Sequence, residues 1–406
     1  MAGVYIHIPF CKSRCAYCGF FSTTMLPLRG EYVDAVCREM ALRRGYLPDM
    51  RRLRGGGCSS GSIESSLPTG ETEGADANIA PAVSTVYVGG GTPSQLSEGC
   101  LRRLFDNIYK VYRVADDAEI TVECNPDDIT APLAAALRDV GVNRLSLGAQ
   151  TFSDDILGFL RRRHTSRQTQ EAVTTLRNAG FGNISIDLMF GLPGQTRAVW
   201  SEDISRALAL GVEHISAYSL MYEENTPLTS MLRRGEISET DDETCLAMYD
   251  ELIDRLAAAG FEHYEISNFA QPGRRSRHNS SYWDGTPYIG IGAAAHSFDI
   301  VSRQWNVADV RAYIDNIRQG KVKMERETLD KPTRYNELIM TRLRTIDGLD
   351  IAELSAAFGN DYERYALANA SGHLDSGNLV MDNGILRLSR KGLFISNMVM
   401  SDLMMA

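Results

Sequence analysis

Short strand-like runs recur along the chain, with helical segments between them. Strands are expected at Val4–Ile8, Thr85–Val88, Glu119–Glu123, Arg144–Leu147, Ile184–Leu188, His214–Leu220 and His263–Ile266. Helices are expected at Glu31–Arg44, Gly99–Tyr109, Ala131–Val140, Ser166–Asn178, Val199–Ala209 and Glu243–Ala258. This alternation predicts an α/β fold of parallel strands joined by crossover helices.

Polar and glycine residues stand where the strands end. They are a cysteine loop after the first strand, Gly89-Gly90-Gly91-Thr92-Pro93, Glu123, Gln150, Asp187 and Tyr218. In a parallel α/β barrel all these ends share one rim, and that rim is where sites are built. Any one of them alone is an ordinary cap or turn; six on one rim mark a site.

Two regions depart from the pattern. From Arg54 to about Ala82 the chain is rich in Gly, Ser, Thr, Pro and Glu, and reads as a disordered insertion (54–82) carrying an exposed Cys58. After Ser297 a connecting region (301–332) holds Trp305 and a helix at Ala308–Arg318. Helices then follow at Thr333–Leu343, Asp350–Phe358 and Tyr362–Ser371, with a hairpin at Leu379–Leu388 turning on Asp382-Asn383-Gly384 and a final helix. The expected domains are therefore 1–300, a barrel, and 333–406, a small winged-helix-like α+β unit. From Lys331 to Ala406 there are eight Lys/Arg against nine Asp/Glu, so packing or protein contact suits this unit better than DNA reading.

The 406 residues suffice for one large domain and a smaller one. A net charge of −10 argues against a broad nucleic-acid surface, and Arg161-Arg162-Arg163-His164 reads as a helix end or site wall. Of 8 cysteines, those outside the first loop show no disulfide spacing, and no signal-peptide pattern opens the chain. The expected compartment is reducing and cytoplasmic. No apolar run approaches the ~20 residues of a membrane helix. Oligomeric state is open, a homodimer among the options, as is a peripheral membrane contact.

The stretch Tyr5-Ile6-His7-Ile8-Pro9-Phe10-Cys11-Lys12-Ser13-Arg14-Cys15-Ala16-Tyr17-Cys18 carries the chemistry. Three thiolates at C-x3-C-x2-C can hold three irons of a [4Fe-4S] cluster and leave the fourth open to a small chelating ligand. Zinc wants four ligands in paired spacings, and no second C-x2-C exists. The Gly90-Gly91-Thr92 turn lets backbone approach a ligand closely. Beside an open iron its natural client is the methionyl amine of S-adenosylmethionine. Glu123 and Asp187 can accept from ribose hydroxyls or that amine, and Arg162 can pair with the methionyl carboxylate.

The first ~300 residues resemble the coproporphyrinogen-III-oxidase-like branch of radical-SAM proteins. The stretches that carry the resemblance are Tyr5–Phe10, the cysteine triad, Val86–Ser94, Glu123–Pro126, Leu147–Phe152, Ile186–Pro193 and Ala217–Leu220. The resemblance implies a partial parallel (β/α) barrel of radical-SAM type. It implies cluster ligation by Cys11, Cys15 and Cys18, and S-adenosylmethionine contacts at Tyr5, Gly90, Gly91, Thr92, Glu123, Gln150, Arg162 and Asp187. Within this branch the coproporphyrinogen III dehydrogenases carry a fourth cysteine, C-x3-C-x2-C-x-C, where this chain has Phe20. They also carry a long N-terminal arm, where this chain has ten residues before Cys11. The HemW-type haem chaperones lack both and carry H-N-x-x-Y-W, matched here by His278-Asn279-Ser280-Ser281-Tyr282-Trp283. Gly19 departs from that family, which commonly has Asp there.

The resemblance thus implies a haem-binding protein that delivers haem to haem-requiring apoproteins, with His278, Asn279, Tyr282 and Trp283 at the haem. Imidazole is a common axial ligand of haem iron, and Tyr and Trp offer flat faces. The alternative is a turn whose aromatics pack the last corner of the barrel. His296 is the rival ligand, and His7 reads as structural. An oxygen-independent coproporphyrinogen III dehydrogenase and an unrelated radical-SAM enzyme remain as other readings, with no catalytic residue assigned.

Overall fold

The computed structural model describes residues 2–47 and 82–405. The first six strands are β1 (Ala2–Ile8), β2 (Ala82–Gly90), β3 (Arg113–Cys124), β4 (Arg144–Gln150), β5 (Ile184–Phe190) and β6 (His214–Ser219). They pair in that order, all parallel. Side chains alternate along each strand because successive residues face opposite ways. On one face Val4, Ile6, Ile8, Val86, Val88, Val122, Leu145, Leu147 and Ile186 are buried in one core with Tyr32, Val33, Leu101 and Leu104 of the covering helices. The other face is polar throughout. Tyr5, Tyr87, Thr121 and Arg144 share one cross-strand row, and Glu123, Ser146, Ser185 and His214 share the next. Several helices on the apolar side begin on a hydroxyl cap, at Ser97, Thr130, Ser153, Thr165 and Thr196, each side chain accepting an otherwise unpaired N–H.

The sheet is larger than the sequence implied. Twelve strands run in the order β12-β11-β10-β9-β1-β2-β3-β4-β5-β6-β8-β7, with β12 and β7 as free ends, so the barrel is partial and open-sided. The expected strand at His263–Ile266 is β7 (Glu262–Glu265), which lies antiparallel to β8 (Asn268–Ala270) at the far edge. The further parallel neighbour is instead β9 (Tyr288–Ile291), against the other side of β1. The segment expected as a connection continues the same sheet: β10 (His296–Phe298), β11 (Ser302–Asn306) and β12 (Met324–Thr328) follow one another antiparallel. Ala82 opens β2, and the rest of the expected insertion, Cys58 included, lies outside the described residues.

The C-terminal part has its own apolar cluster, built from Tyr335, Ile339, Leu343, Leu354, Phe358, Leu379, Leu386, Val399 and Leu403. Its sheet is β13 (Leu349–Asp350), β14 (Leu379–Asp382) and β15 (Ile385–Leu388), in the order β13-β15-β14. Asn383 (φ 50°) and Gly384 (φ 81°) form the two-residue turn of the β14–β15 hairpin, a left-handed pair that matches the twist of its strands. Helices at Lys331–Leu343, Ile351–Phe358, Asn360–Asp375, Arg390–Phe394 and Ser396–Leu403 surround this wing. The unit joins the barrel where Arg344 Nε donates to Glu265 Oε2 at 2.7 Å and Ile346 N–H donates to Tyr264 O.

Candidate functional site

The cysteine loop leaves β1 and is pinned on both sides. Cys11 N–H donates to Thr23 O, Thr23 N–H to Pro9 O, Ala16 N–H to Leu160 O, and Leu228 N–H to Ala16 O. Cys11, Cys15 and Cys18 are half-buried and line one cavity of about 510 Å³. Cys11 Sγ lies 3.4 Å from Thr92 Oγ1, and Arg162 Nη1 points at Cys15 Sγ from 3.5 Å. Burial pushes the Cys11 and Cys18 thiols up, so loading a metal must displace protons. Among the described residues no three His, Cys, Asp or Glu side chains gather closely enough for one metal ion. Sulfurs on a single zinc would sit within about 4 Å of one another. Three thiols on one loop around a shared cavity are the number of protein ligands that a [4Fe-4S] cube with one open iron takes.

The cavity floor is the C-terminal ends of the strands. Gly90 has φ +110°, and a Cβ there would lie 2.6 Å from the His7 ring; a Cβ on Gly91 would lie 2.7 Å from the Pro9 carbonyl carbon. Only glycine lets this turn close against the cysteine loop. Glu123 accepts from Tyr87 Oη at 2.7 Å and from Gly90 N–H at 3.0 Å. It lies deep in the protein but keeps a face on the cavity, and burial pushes its carboxyl up to about 7 against the pull of those two bonds. Asp187, across the floor, accepts from Ser146 Oγ and is also raised by burial. Gln150 ends β4 at a register shift with φ 67°. Arg162 Nη2 donates to Asn125 Oδ1 and Gly148 O, which leaves its buried Nε without a partner.

Gly90, Gly91, Thr92, Glu123, Gln150, Arg162 and Asp187 thus line the same cavity as the cysteines. Tyr5 does not. It lies in the next row down, and its hydroxyl is 2.9 Å from His7 Nδ1, so it steadies His7 rather than facing a ligand. Sequence reasoning passed over Asn125, Ser146 and Gly148 as site walls. It did not place Phe20 or Met221 beside Tyr218 at the cavity mouth. Phe20 (73 % exposed) and Met221 (70 % exposed) stand at the mouth with Tyr218. Gly19 packs there against Glu223, 3.0 Å from a notional Cβ, so an Asp would set a second carboxylate against Glu223.

The pattern described as the Radical SAM superfamily matches residues 5–207, and that described as the HemN C-terminal domain matches residues 329–395. A protein from Bacillus subtilis named heme chaperone HemW is 35% identical over 89% of this chain and 88% of its own. The protein of the same name from Lactococcus lactis is 32% identical over 97% and 95%. This chain belongs to the HemW family of radical-SAM proteins. The solved structure of Escherichia coli coproporphyrinogen III oxidase (HemN), described as a radical SAM enzyme, superposes with a TM-score of 0.80 at 20% identity, covering 99% of this chain and 89% of that one. It shares the fold.

Against the HemW family background, the His278–Trp283 motif needs a correction. Its helix, Arg277–Trp283, starts on the Ser276 cap at the opposite end of the barrel from the cysteines. Glu119, midway along β3 and level with Thr85, accepts the Arg277 and His278 N–H groups at 2.9 Å each. His278 is 1 % exposed. Its Nδ1 is 2.9 Å from Thr85 Oγ1 and its Nε2 is 2.9 Å from Tyr282 Oη, while its ring stacks on Tyr87 at 5.0 Å. An axial ligand needs a free nitrogen and room for the macrocycle, and here His278 has neither. Asn279 donates its N–H to the Ser276 cap. Tyr282 packs edge-on against Tyr288, and Trp283 lies under the Arg344 guanidinium at 4.7 Å. His278 and Tyr282 thus pack inside the lower barrel, and Trp283 meets the C-terminal unit at Arg344. Among the described residues no helix is long and apolar enough to cross a membrane.

Proposed function

We propose that this chain binds haem and delivers it to apoproteins, carrying a [4Fe-4S] cluster on Cys11, Cys15 and Cys18 with S-adenosylmethionine beside it. The observation that carries the delivery role is the 35% identity, over nine-tenths of the chain, to proteins named heme chaperone. Phe20 supports it, standing exposed where the dehydrogenases of this branch have a fourth cysteine.

The residues present suit both resident groups. A reduced cluster beside a sulfonium supplies one-electron chemistry, and the protein's part is to position and shield it. Gly90 and Gly91 give backbone that a methionyl group can approach. Glu123 and Asp187 offer carboxylates to its amine and to ribose hydroxyls. Arg162 sets a buried cation on the cavity wall for a carboxylate, its Nη2 fixed by Gly148 O and Asn125 Oδ1 and its Nη1 turned to Cys15.

The test is anaerobic reconstitution followed by two assays on one preparation: haem titration, and turnover of coproporphyrinogen III with S-adenosylmethionine and a reductant. The expected result is haem uptake without protoporphyrinogen IX. Turnover without haem uptake replaces this reading with the dehydrogenase.

A further inference from the structure

Three loops of the site converge on one carboxylate that is not itself in the cavity. Asp128 ends the short turn Pro126–Asp128 after β3, behind the cavity wall, and its side chain is 3% exposed. Lys12 of the cysteine loop donates Nζ to Asp128 Oδ1 at 3.0 Å. Ser94 Oγ donates to Oδ2 at 2.9 Å, and Gln95 Nε2 bonds the same oxygen; both residues stand just after Gly90-Gly91-Thr92. Arg163, the neighbour of Arg162, donates Nη2 to both oxygens at 3.3 and 3.4 Å. Asp128 thus touches the loop of the thiols, the glycine turn and the arginine wall at once.

The cysteine loop depends on this contact more than its neighbours do. Backbone bonds pin it at Cys11 and Ala16. Between them Lys12, Ser13 and Arg14 are exposed, and among the described residues none of their N–H groups is hydrogen-bonded. Side chains secure that span instead. Arg14 Nε donates to Ser22 Oγ at 3.3 Å, within the same loop. Lys12 alone crosses to the strand-end wall, so apart from contacts at the sulfurs themselves its bond to Asp128 is the tie between the Cys11–Cys15 span and that wall.

The tie is ionic on both sides. A carboxylate has room for about four donors, and Asp128 takes two cations and two neutral groups. Burial raises its carboxyl, but the Lys12 and Ser94 bonds and the Arg163 charge outweigh that and bring it below its ordinary value.

We propose that Asp128 is a positioning residue that, through Lys12, sets the cysteine span against the Gly90–Thr92 turn and Arg162, so that the open iron and the pocket for the methionyl group stay in register. This rests on the cluster and S-adenosylmethionine reading above. Such a site works only when its parts are held to within about 0.5 Å.

The test uses the reconstituted full chain as wild type, Asp128→Asn, Lys12→Met and Lys12→Arg. Iron is counted, S-adenosylmethionine affinity is measured by calorimetry, and the electron paramagnetic resonance spectrum of the reduced cluster is recorded with and without S-adenosylmethionine. The three thiols are untouched, so every variant should hold about four irons per chain. Asp128→Asn and Lys12→Met should bind S-adenosylmethionine about tenfold more weakly, with a smaller ligand-induced change in the spectrum. Lys12→Arg keeps a cation in reach and should bind as the wild type does. If Asp128→Asn does not fold, Lys12→Met decides, because Lys12 is 48% exposed and its loss leaves Asp128 with Ser94, Gln95 and Arg163. Wild-type affinity in Lys12→Met overturns the assignment. Loss of iron from Lys12→Met, with unchanged affinity per remaining cluster, overturns it too, since the tie would then serve cluster retention. A wild type that carries its cluster and binds no S-adenosylmethionine removes the underlying reading instead.

Discussion

Glu123 is held between opposing forces. Burial raises its carboxyl, the Tyr87 hydroxyl bond lowers it, the Asp187 carboxylate raises it again, and Gly90 N–H and the Arg144 charge oppose. Arg144 is 2 % exposed with Nε unpartnered, in the row just below, so it acts on Glu123 through space. S-adenosylmethionine carries a sulfonium and an ammonium, so its binding favours the ionised carboxylate. With the carboxyl near 7, affinity should fall as pH drops from about 8 to 6. Calorimetric titration across that range checks it; Glu123→Gln should bind more weakly with a flat profile, and a flat wild-type profile contradicts the proposal. At the same scale, Cys11→Ala, Cys15→Ala and Cys18→Ala should each abolish a cluster of about four irons per chain. Cys37→Ala, Cys100→Ala, Cys124→Ala and Cys245→Ala should retain it. Iron and sulfide analysis decides, and a requirement for any of those four would break the three-thiolate argument.

At the scale of elements, the Arg277–Trp283 helix closes the lower barrel with a neutral histidine. Burial pushes His278 down to about 3, so below about 6.5 the unfolded chain takes up a proton that the folded chain refuses. Stability from this group is complete at neutral pH and drains as pH falls from 6.5 toward 3, by about 1.4 kcal/mol per unit. His164, also pushed down to about 3, adds to the same slope. Melting temperature should therefore drop steeply from pH 7 to 5, and His278→Gln should flatten that drop at a cost of about 2 kcal/mol at pH 7. An unchanged slope would mean His278 is not sealed. The same element shows what sequence could not supply. His-Asn-x-x-Tyr-Trp looks alike as a ligand set and as a plug, because imidazole and phenol serve either purpose; only their partners, Thr85 and Glu119, 193 and 159 residues earlier, decide. The six parallel strands were readable because each is a run of at least six residues that buries aliphatics on one face. β8 to β12 were not: they are three to five residues long, and β9, β11 and β12 are broken by Gly290 or charged positions, so periodicity has nothing to act on. The cavity wall from Gly90 to Asp187 was readable from strand ends. Tyr5 was misplaced because a strand's inner face runs on below the site without a change of residue type.

Across the whole molecule, the C-terminal unit meets the barrel at a buried carboxylate. Glu265 has no exposed side-chain surface, and Arg344, which pairs with it and covers Trp283, is 27% exposed. The two truncations should therefore differ. Arg344→Met strands a buried charge and should cost about 3 kcal/mol, while Glu265→Gln leaves a cation that reaches water and should cost about 1 kcal/mol. Chemical denaturation of both variants tests the order, and equal costs would show that the pair is not the joint. This arrangement puts the cluster cavity at one end of the barrel and the Arg277–Trp283 helix at the other, beside the C-terminal unit. The most direct measurement of the central claim is transfer. Haem-loaded, cluster-reconstituted protein is mixed anaerobically with an apo haem enzyme, and the acceptor's Soret band and activity are followed. Delivery predicts that both appear faster than with an equal amount of free haem, with loss of the donor's band. A donor that keeps its haem, or an acceptor that fills no faster than from free haem, would contradict it.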